Sequence, residues 1–259
     1  MISTLNESSL HRTLKALYAL EDGSVMEAAC DGHIYDILDK NGSVTEIQTG
    51  SLSKLLPKLR DALGRGRKCT VVYPLIVKKT IELHDEDGAC ISSRKSPKTA
   101  SIYSLFRELT GLRTVLLQTG FSLEVLEVRA TEIRRRTPAP VQSQNGRRRF
   151  RRNWLKTDKR LDEIIRKRTF SDAKDYVSLL PGSIPPEFSA RMLADALSQD
   201  KELPASAAQH APLAIWVLSR MGILEQTRTE SRSRLYKIAG SHVPAERYGT
   251  FEAVRTEQR

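Results

Sequence analysis

Residues 69–77 form a continuous apolar run that is rich in β-branched side chains. A strand with one exposed face alternates apolar and polar residues, whereas an uninterrupted apolar strand is typical of a sheet that is covered on both faces. The run is far too short to span a bilayer as a helix. It therefore predicts a buried, central strand.

Helix and strand patterns alternate around this run. Leucines at helical spacing predict a helix over residues 6–18, capped by Asn6 or Ser8, and a second helix over residues 51–63. The other predicted elements are strands at 24–30, 33–39 and 43–48, a hairpin around Asp87-Gly88, a helix near 101–117 and a strand near 121–128. This order of helix, β-meander, helix and strand predicts an α/β (α+β) fold with a mixed central sheet flanked by helices, and not a doubly wound sheet.

The second half of the chain has a different pattern. Prolines and the stretch Gln-Ser-Gln-Asn-Gly predict a basic linker over residues 134–156. The linker separates a first domain, residues 1–133, from a small and mostly helical domain, residues 157–240, which a tail over residues 241–259 follows. Helical patterns in the second domain cover residues 157–167, 171–179, 187–198 and 205–221, and a strand pair with basic turn residues comes after them.

The net charge of +11 lies in one segment of the chain. Residues 129–168 contain 15 Lys and Arg against 4 Asp and Glu, and the two signs balance over the rest. Such a block is often a solvated tail. Because this block lies between two segments with folded patterns and lacks an amphipathic apolar face, we favour a nucleic acid over an anionic membrane as its partner.

Composition argues against several classes of protein. A hydrophobic fraction of 39% and a charged fraction of 28% are typical of a soluble globular chain. The N-terminus lacks the apolar stretch of a signal peptide, so we expect a cytoplasmic protein without a membrane partner. Cys30, Cys69 and Cys90 are scattered and odd in number, which indicates neither a disulfide framework nor a zinc cluster. The histidines show no ligand spacing either.

Two turn signals set the register of the three predicted strands before residue 49. The pair Asp31-Gly32 predicts a two-residue type I′ hairpin loop, which puts Glu27 opposite Asp36.

The second turn, Asp39-Lys40-Asn41-Gly42, allows two registers. Asp in the first position and Gly in the fourth favour a three-residue loop with a left-handed glycine, in which Asp36 lies opposite Glu46. A two-residue Asn41-Gly42 loop would instead put Glu46 opposite Ile37 and turn its side chain to the other face. We favour the three-residue loop because Asp39 fits its first position.

With both registers, three carboxylates form one row across neighbouring strands: Glu27, Asp36 and Glu46, with Gln48 on the same face. Adjacent strands lie about 4.8 Å apart, and like charges directly opposite each other are destabilising. A solvent-screened sheet face is the ordinary explanation of such acids. Apolar neighbours indicate a half-buried stripe here, where the acids call for a divalent cation such as Mg²⁺ or Mn²⁺.

The acids and their placement resemble the PD-(D/E)XK superfamily, which has the restriction-endonuclease-like fold. Asp36 and then Glu46-Ile47-Gln48 end a β-meander, and a helix and a buried strand follow. The order helix, three strands, helix and strand resembles the superfamily core over residues 1–77. The resemblance implies that Asp36, Glu46 and the main-chain carbonyl of Ile47 hold the metal, and that the protein hydrolyses phosphodiester bonds in DNA.

Gln48 departs from the lysine that is usual in this superfamily. An amide orients a water molecule or a phosphate oxygen but supplies no positive charge. Some members with the Glu-x-Gln variant are active, and some carry a lysine on the following helix, where this chain has Lys54 and Lys58. The resemblance implies that Gln48 and Lys54 assist catalysis and that Glu27 is an accessory acid. Glu7 matches an acid that some members carry on the first helix, and it is equally explained as a surface residue.

The second half resembles a winged helix-turn-helix. Helical patterns at 187–198 and 205–221 precede a basic strand pair. The resemblance implies that residues 205–221 enter the major groove, and a small helical domain for protein contacts is the alternative. The residues expected to contact nucleic acid are Arg147, Arg148, Arg149, Arg151 and Arg152 in the linker and Arg228, Arg232 and Arg234 on the wing.

The sequence therefore predicts a two-domain DNA-processing protein with a metal-dependent nuclease core. The first alternative is a non-catalytic DNA-binding or regulatory protein that keeps the fold and has lost turnover at Gln48. The second is a scaffold within a larger DNA-processing complex, and a homodimer is left open as well.

Overall fold

The computed structural model describes residues 7–20, 23–143 and 146–242. The α-helices are α1 (Ser9–Tyr18), α2 (Leu56–Gly64), α3 (Phe106–Leu109), α4 (Ala173–Val177), α5 (Ala190–Gln199) and α6 (Ala211–Arg220). The strands are β1 (Val25–Cys30), β2 (His33–Leu38), β3 (Val44–Ile47), β4 (Cys69–His84), β5 (Cys90–Lys95), β6 (Phe121–Val141), β7 (Arg152–Phe170), β8 (Leu224–Glu230) and β9 (Ser233–Ile238). Short 3-10 helices cover Leu52–Leu55, Ile102–Leu105, Ala205–His210 and Gly240–His242.

Seven of the strands in the described part of the chain form one mixed sheet. Its order is β1-β2-β3-β4-β6-β7, and β5 pairs with the far end of β4. The first three strands are an antiparallel meander, β3, β4 and β6 run parallel, and β7 returns antiparallel to β6. Strands β8 and β9 form a separate antiparallel pair. The chain therefore has a mixed α/β fold, as its sequence predicts.

Strand β4 is the centre of the sheet, and it begins with the apolar run. Val71 and Val72 are both fully buried, and they belong to the cores on opposite faces of the sheet. Pro74 is tolerated in this strand because β3 pairs with β4 only as far as Val72, so the proline nitrogen lies past the end of β3. The predicted buried strand is confirmed.

Helix α1 covers one face of the sheet. Ser8 caps the helix, and the fully buried Leu10 and Leu14 pack in a cluster with apolar side chains of β3, β4 and β6. The helix is also joined to β7, because the main-chain N–H of Ser9 donates to Asp158 Oδ1 at 2.8 Å. These contacts place the polar side of α1 beside the meander.

A larger core fills the other face of the sheet. Helix α2, the segment around α3 and the C-terminal helices pack there in one cluster that extends from Tyr35 to Ile238. The helices predicted at 187–198 and 205–221 are confirmed with shifted ends, and the second begins as a 3-10 helix. The C-terminal helices and the sheet therefore share one continuous core.

The described part of residues 134–156, which the sequence predicts to be a linker, belongs to the outer end of a long β hairpin. Strands β6 and β7 pair along their length, and the ladder is interrupted only where its register shifts. The largest shift lies between Arg136 and Val141. Pro138 and Pro140 fall in that interval, so they remove no N–H from a ladder hydrogen bond.

The prediction of a helix over residues 157–167 is wrong, because these residues belong to strand β7. Six of these eleven residues are Lys, Arg, Glu or Leu, which are good helix formers, but pairing with β6 overrides that local preference. The sheet thus continues across the boundary predicted at residue 157. The helix predicted near 101–117 is also shorter, since α3 ends at Leu109.

No helix in the described residues is long and apolar enough to cross a membrane.

The predicted cap Asn6 and residues 243–259 of the predicted tail lie outside the described residues.

A pair of substitutions on α1 tests its packing on the sheet. Leu14→Ala should lower the free energy of unfolding by about 2–5 kcal/mol, because Leu14 is fully buried and its removal leaves a cavity. Leu17→Ala, one turn away on the same helix and 44% exposed, should change it by about 0.5 kcal/mol or less. Urea unfolding of both variants measures the difference, and equal effects would contradict this placement of α1.

Candidate metal centre in the β-meander

The first turn of the meander has the predicted type I′ geometry. Asp31 and Gly32 both have positive φ, 51° and 76°, as that turn requires. The residues that flank the loop pair in the predicted register. Glu27, also with a φ of 51°, interrupts the β1 ladder at the position opposite Asp36.

The second turn is the three-residue loop. Asp39 Oδ1 accepts the N–H groups of Asn41 and Ser43, both at 2.8 Å, and Gly42 has a φ of 78°. The strands pair in the corresponding register. The prediction is confirmed, and the two-residue loop that would turn Glu46 to the other face is excluded.

One guanidinium group holds both turns. Arg67 Nε donates to Asp31 Oδ2 at 2.7 Å, and Nη1 donates to the main-chain oxygen of Gly42 at 2.9 Å. The hydrogen bond from Arg67 holds the pKa of Asp31 below its usual range. A Cβ atom at residue 42 would lie 2.9 Å from Arg67 Nη1. Glycine at this position therefore provides both the positive φ and the room for the guanidinium group.

The β2–β3 ladder ends at the pair Ile37–Thr45, one residue before the acids. Asp36 Oδ2 accepts the N–H of Ile47 at 2.7 Å, and Glu46 Oε1 accepts the N–H of Asp36 at 3.2 Å. The two carboxylates thus satisfy main-chain groups that the ladder no longer pairs. Each carboxylate therefore lies against the main chain of the neighbouring strand, at the point where the two strands separate.

Helix α1 places His11 beside the Asp36 carboxylate and the main-chain oxygen of Ile47. His11 Nε2 lies 2.7 Å from the main-chain oxygen of Ile47 and 3.5 Å from Asp36 Oδ2, while Nδ1 contacts the Glu7 carboxylate. Burial lowers the pKa of His11, but the hydrogen bond to Asp36 and the charges of Asp36 and Glu7 outweigh burial and raise it. The ring therefore lies between the Asp36 carboxylate and the main-chain oxygen of Ile47.

Lys15 lies among three carboxylates and is only 6% exposed. Its ammonium group contacts Glu27, lies 2.7 Å from Glu7 Oε1, and is 3.7 Å from Asp36 Oδ1. Burial lowers the pKa of Lys15, but hydrogen bonds to Glu27 and Glu7 more than compensate and raise it. One ammonium group therefore joins acids from the segment just before α1, from β1 and from β2.

Lys58 of α2 is the partner of Glu46. Its ammonium group contacts Glu46 Oε1 and the main-chain oxygen of Ile34, and it lies 4.6 Å from the centre of the Tyr35 ring. These three contacts fix the ammonium group of Lys58, which approaches Glu46 from the face of the sheet opposite α1.

The two meander acids have opposite pKa shifts. Burial raises the pKa of Asp36, but hydrogen bonds from His11 and from the Ile47 N–H outweigh burial, and the pKa is lowered overall. Burial also raises the pKa of Glu46, and the charge of Lys58 offsets this only in part, so that the pKa stays above its ordinary value. Asp36 is therefore the better stabilised carboxylate.

The charges and donor atoms of the cluster fit a divalent cation. Four carboxylates face two ammonium groups: Glu7, Glu27, Asp36 and Glu46 against Lys15 and Lys58. With His11 neutral, two negative charges are left, which is the charge of one divalent ion. Carboxylate and carbonyl oxygens are the ligands of Mg²⁺ and Mn²⁺. Glu7, His11 and Asp36 also each offer a ligand atom within 4.8 Å of the others.

Two predicted residues do not join the cluster. Lys54 is exposed on the 3-10 turn before α2, and within the described residues its ammonium group contacts none of the four acids; Lys58 makes the contact instead. Gln48 Oε1 accepts the N–H of Gly50 at 3.2 Å. The amide of Gln48 thus shapes the loop after β3.

His11 and Lys15 were not predicted from the sequence as members of the site. The signal was present, because Glu7, His11 and Lys15 follow one another at intervals of four residues and so share one face of a helix.

The basic residues of the predicted linker lie around the tip of the β6–β7 hairpin. Arg147, Arg149, Arg151 and Arg152 are exposed in the described structure. Arg148 is half-buried: its guanidinium group lies 4.0 Å from the centre of the Trp154 ring, and that of Arg134 lies 3.7 Å from the same ring. The tip therefore combines a high positive charge with an ordered stacking arrangement.

The basic residues of the predicted wing lie on the β8–β9 pair. Arg232 is in its turn and Arg234 on β9, both exposed, while Arg228 Nη2 lies 3.3 Å from Glu187 Oε2. Trp216 on α6 is 40% exposed, and its ring centre lies 5.7 Å from the Arg220 guanidinium group.

A family model described as a domain of unknown function (DUF8091) matches residues 8–171. The chain belongs to the DUF8091 family. The DUF8091 match begins just before α1 and ends one residue after β7. It therefore includes the whole seven-stranded sheet and every residue of the acidic cluster except Glu7.

One relative extends the similarity beyond the DUF8091 region. A protein of Treponema pallidum (strain Nichols), described as an uncharacterized protein, is 28% identical over 236 residues, which are 91% of this chain and 87% of the relative. No solved structure matches the chain.

The opposite pKa shifts of Asp36 and Glu46 predict opposite changes in the free energy of unfolding when each carboxylate is replaced by an amide. Asp36→Asn should lower the free energy of unfolding at neutral pH, because the depressed pKa means that the ionised carboxylate stabilises the fold. The loss should disappear as the pH falls from the ordinary Asp value of 3.8 through the lower pKa of the folded state.

Glu46→Gln should raise the free energy of unfolding at neutral pH, because the raised pKa means that ionised Glu46 costs stability. This gain should vanish as the pH falls through the raised pKa to below the ordinary value of 4.5. Urea unfolding in EDTA across this range measures both effects. The same sign for both variants would contradict the electrostatic description of the site.

Proposed function

We propose that the chain is a metal-dependent endonuclease of the PD-(D/E)XK type that hydrolyses phosphodiester bonds in DNA. The observation that carries the proposal is the position of Asp36, Glu46 and Ile47 at the end of the β2–β3 ladder, where the Asp36 carboxylate accepts the N–H of Ile47 and the Glu46 carboxylate accepts the N–H of Asp36. The resemblance of the sequence implies these same residues as metal ligands.

The order of the elements supports a restriction-endonuclease-like core. Helix α1, the β1–β3 meander, α2 and β4 follow one another in the order that the resemblance implies. The helices α1 and α2 lie on opposite faces of the sheet, and β4 runs parallel to β3. The two acids lie on β2 and β3, at the point where these strands part.

Asp36, Glu46 and the Ile47 carbonyl are the groups that would hold Mg²⁺ or Mn²⁺. When bound, such an ion lowers the pKa of an attacking water molecule and neutralises charge on the leaving oxygen. The chain's own groups orient the ligands: the Ile47 N–H fixes the Asp36 carboxylate, and Lys15 holds the accessory acids Glu7 and Glu27 beside it. The acids are thus arranged before any ion or DNA arrives.

We assign to Lys58 the positive charge that Gln48 cannot supply. Lys58, and not Lys54, contacts a metal-binding acid, so it replaces Lys54 as the lysine displaced onto the following helix. Gln48 keeps the role of orienting a water molecule or a phosphate oxygen through its amide.

Two basic surfaces support DNA as the substrate. The β6–β7 hairpin carries its arginines at the end of a two-stranded ribbon, and the major groove of DNA admits such a ribbon. The C-terminal unit has the helix, helix and strand-pair order of a winged helix-turn-helix, in which α6 would enter the major groove. Arg232 and Arg234 on the strand pair would contact phosphates.

One observation favours a non-catalytic DNA-binding protein as the second candidate. The Gln48 oxygen accepts the N–H of Gly50, and the Lys58 ammonium group is already bound to Glu46. If Gln48 and Lys58 keep these contacts when DNA binds, neither side chain can orient a water molecule or a phosphate. The meander would then be only a structural part of a DNA-binding protein.

Cleavage of supercoiled plasmid DNA in Mg²⁺, Mn²⁺ or EDTA tests the proposal. Asp36→Asn should reduce the metal-dependent rate by about 100-fold or more, a loss typical of removing one group that stabilises the transition state. Lys58→Ala should also reduce the rate, whereas Lys54→Ala should leave it close to wild type because Lys54 lies outside the cluster. Glu163→Gln, which removes an exposed acid paired with Arg129, controls for the change of charge.

Cutting by Asp36→Asn at the wild-type rate would eliminate the site assignment. Salt-sensitive DNA binding without cutting in either metal would favour the non-catalytic candidate.

The hairpin should contribute a salt-dependent part of DNA binding. Replacing Arg149, Arg151 and Arg152 by Ser should weaken binding and reduce the slope of log K against log salt by about 0.9 for each phosphate that the variant no longer neutralises. Arg228→Ser is the control, because Arg228 already pairs with Glu187 and should change the slope less. Fluorescence anisotropy with a labelled duplex over a range of salt measures the slopes, and an unchanged slope in the triple variant would rule out the hairpin as a DNA-binding surface.

A further inference from the structure

A second group of metal-binding side chains lies on the β4–β5 hairpin. Glu82 and His84 are on β4, and Cys90 begins β5 directly across from His84. One ligand atom from each of the three side chains lies within 4.8 Å of the other two. The group lies 10 to 12 residues along β4 from Val72, which is level with the acidic meander, and this is roughly 35 Å at the rise of a strand. It is therefore a separate site.

The hydrogen bonds of His84 leave one nitrogen for a cation. Nδ1 lies 3.0 Å from the main-chain oxygen of Gly88, and because a carbonyl oxygen only accepts, Nδ1 carries a proton. Nε2 lies 3.0 Å from Glu82 Oε2. In a neutral ring the lone pair of Nε2 would then face a carboxylate oxygen. Either a second proton or a metal ion is needed between them.

The two donors on β4 are held by neighbouring groups, as metal ligands commonly are. Arg160 Nη2 lies 3.4 Å from Glu82 Oε1, which leaves Oε2 directed at His84. The Gly88 carbonyl in turn fixes the tautomer and the orientation of the imidazole.

The third donor decides which metal fits. Cys90 is exposed, so its sulfur is open to an ion from solvent. A set of one thiolate, one imidazole and one carboxylate suits Zn²⁺, whereas Mg²⁺ requires oxygen ligands. The charges of the Glu82 carboxylate and the Cys90 thiolate together balance one Zn²⁺ ion, and the thiol proton is released to solvent on binding.

We propose that Glu82, His84 and Cys90 bind a zinc ion, with a water molecule in the fourth position. No zinc spacing is visible in the sequence because the strand ladder, and not the order of residues, brings Cys90 to His84. The bound ion would fix the β4–β5 turn, whose residues 85–87 line a groove together with Arg136 and Asn153 near the outer end of the β6–β7 hairpin. The site and its test are independent of DNA cleavage.

A cobalt titration of the intact chain, stripped with EDTA, tests the site. A cobalt–thiolate bond produces a charge-transfer absorption band in the near ultraviolet, which oxygen and imidazole ligands do not produce. We expect this band to saturate at one equivalent of Co²⁺ and to disappear when Zn²⁺ displaces the cobalt. Cys90→Ser should abolish the band, and both Cys90→Ser and His84→Asn should weaken Zn²⁺ binding by more than about tenfold.

Two control variants separate this site from other ligands. Cys30→Ser removes the other thiol that is not buried and should leave the band unchanged. Asp36→Asn alters the meander site and should leave it unchanged as well. Absence of the band in the wild-type protein, or a full band in Cys90→Ser, would overturn the proposal. Circular dichroism of each variant checks that the fold is retained.

Discussion

The guanidinium group of Arg67 joins both turns of the meander to the start of the central strand. It binds the Asp31 carboxylate of the first loop and the Gly42 carbonyl of the second, two residues before β4 begins. The planar, rigid fork of arginine suits such a double contact better than lysine would. Because a shift of one residue in either loop would turn an acid to the other face of the sheet, the position of the acidic cluster depends on this contact.

The cluster itself shows how the fold accommodates acids in a half-buried place. Each ammonium group is used more than once, since Lys15 joins three carboxylates and Lys58 joins Glu46 to a main-chain carbonyl. Buried ion pairs contribute little net stability, because desolvation offsets their attraction, and they are costly to break. The arrangement therefore serves to orient Asp36 and Glu46 more than to stabilise the domain.

Local chemistry explains what could be predicted from the sequence. Asp31-Gly32 and Asp39–Gly42 determine their loops through contacts within a few residues, so both strand registers, and with them the position of Asp36 opposite Glu46, were predictable. Residues 157–167 were not, because their choice of strand over helix depends on pairing with β6. The contact of Lys58 rather than Lys54 with Glu46 depends on the 3-10 turn before α2, and the position of His11 depends on how α1 crosses the sheet. Such long-range packing has no short sequence signature.

The stacking of Arg134 and Arg148 on Trp154 gives the hairpin an optical property. The chain has two tryptophans, and the indole of Trp154 lies against two cations at the base of the arginine-rich tip. The emission of an indole responds to the charges around it. Any ligand that draws these guanidinium groups away changes the electric field at the ring, so the hairpin carries its own fluorescent reporter of occupancy, and no dye need be attached.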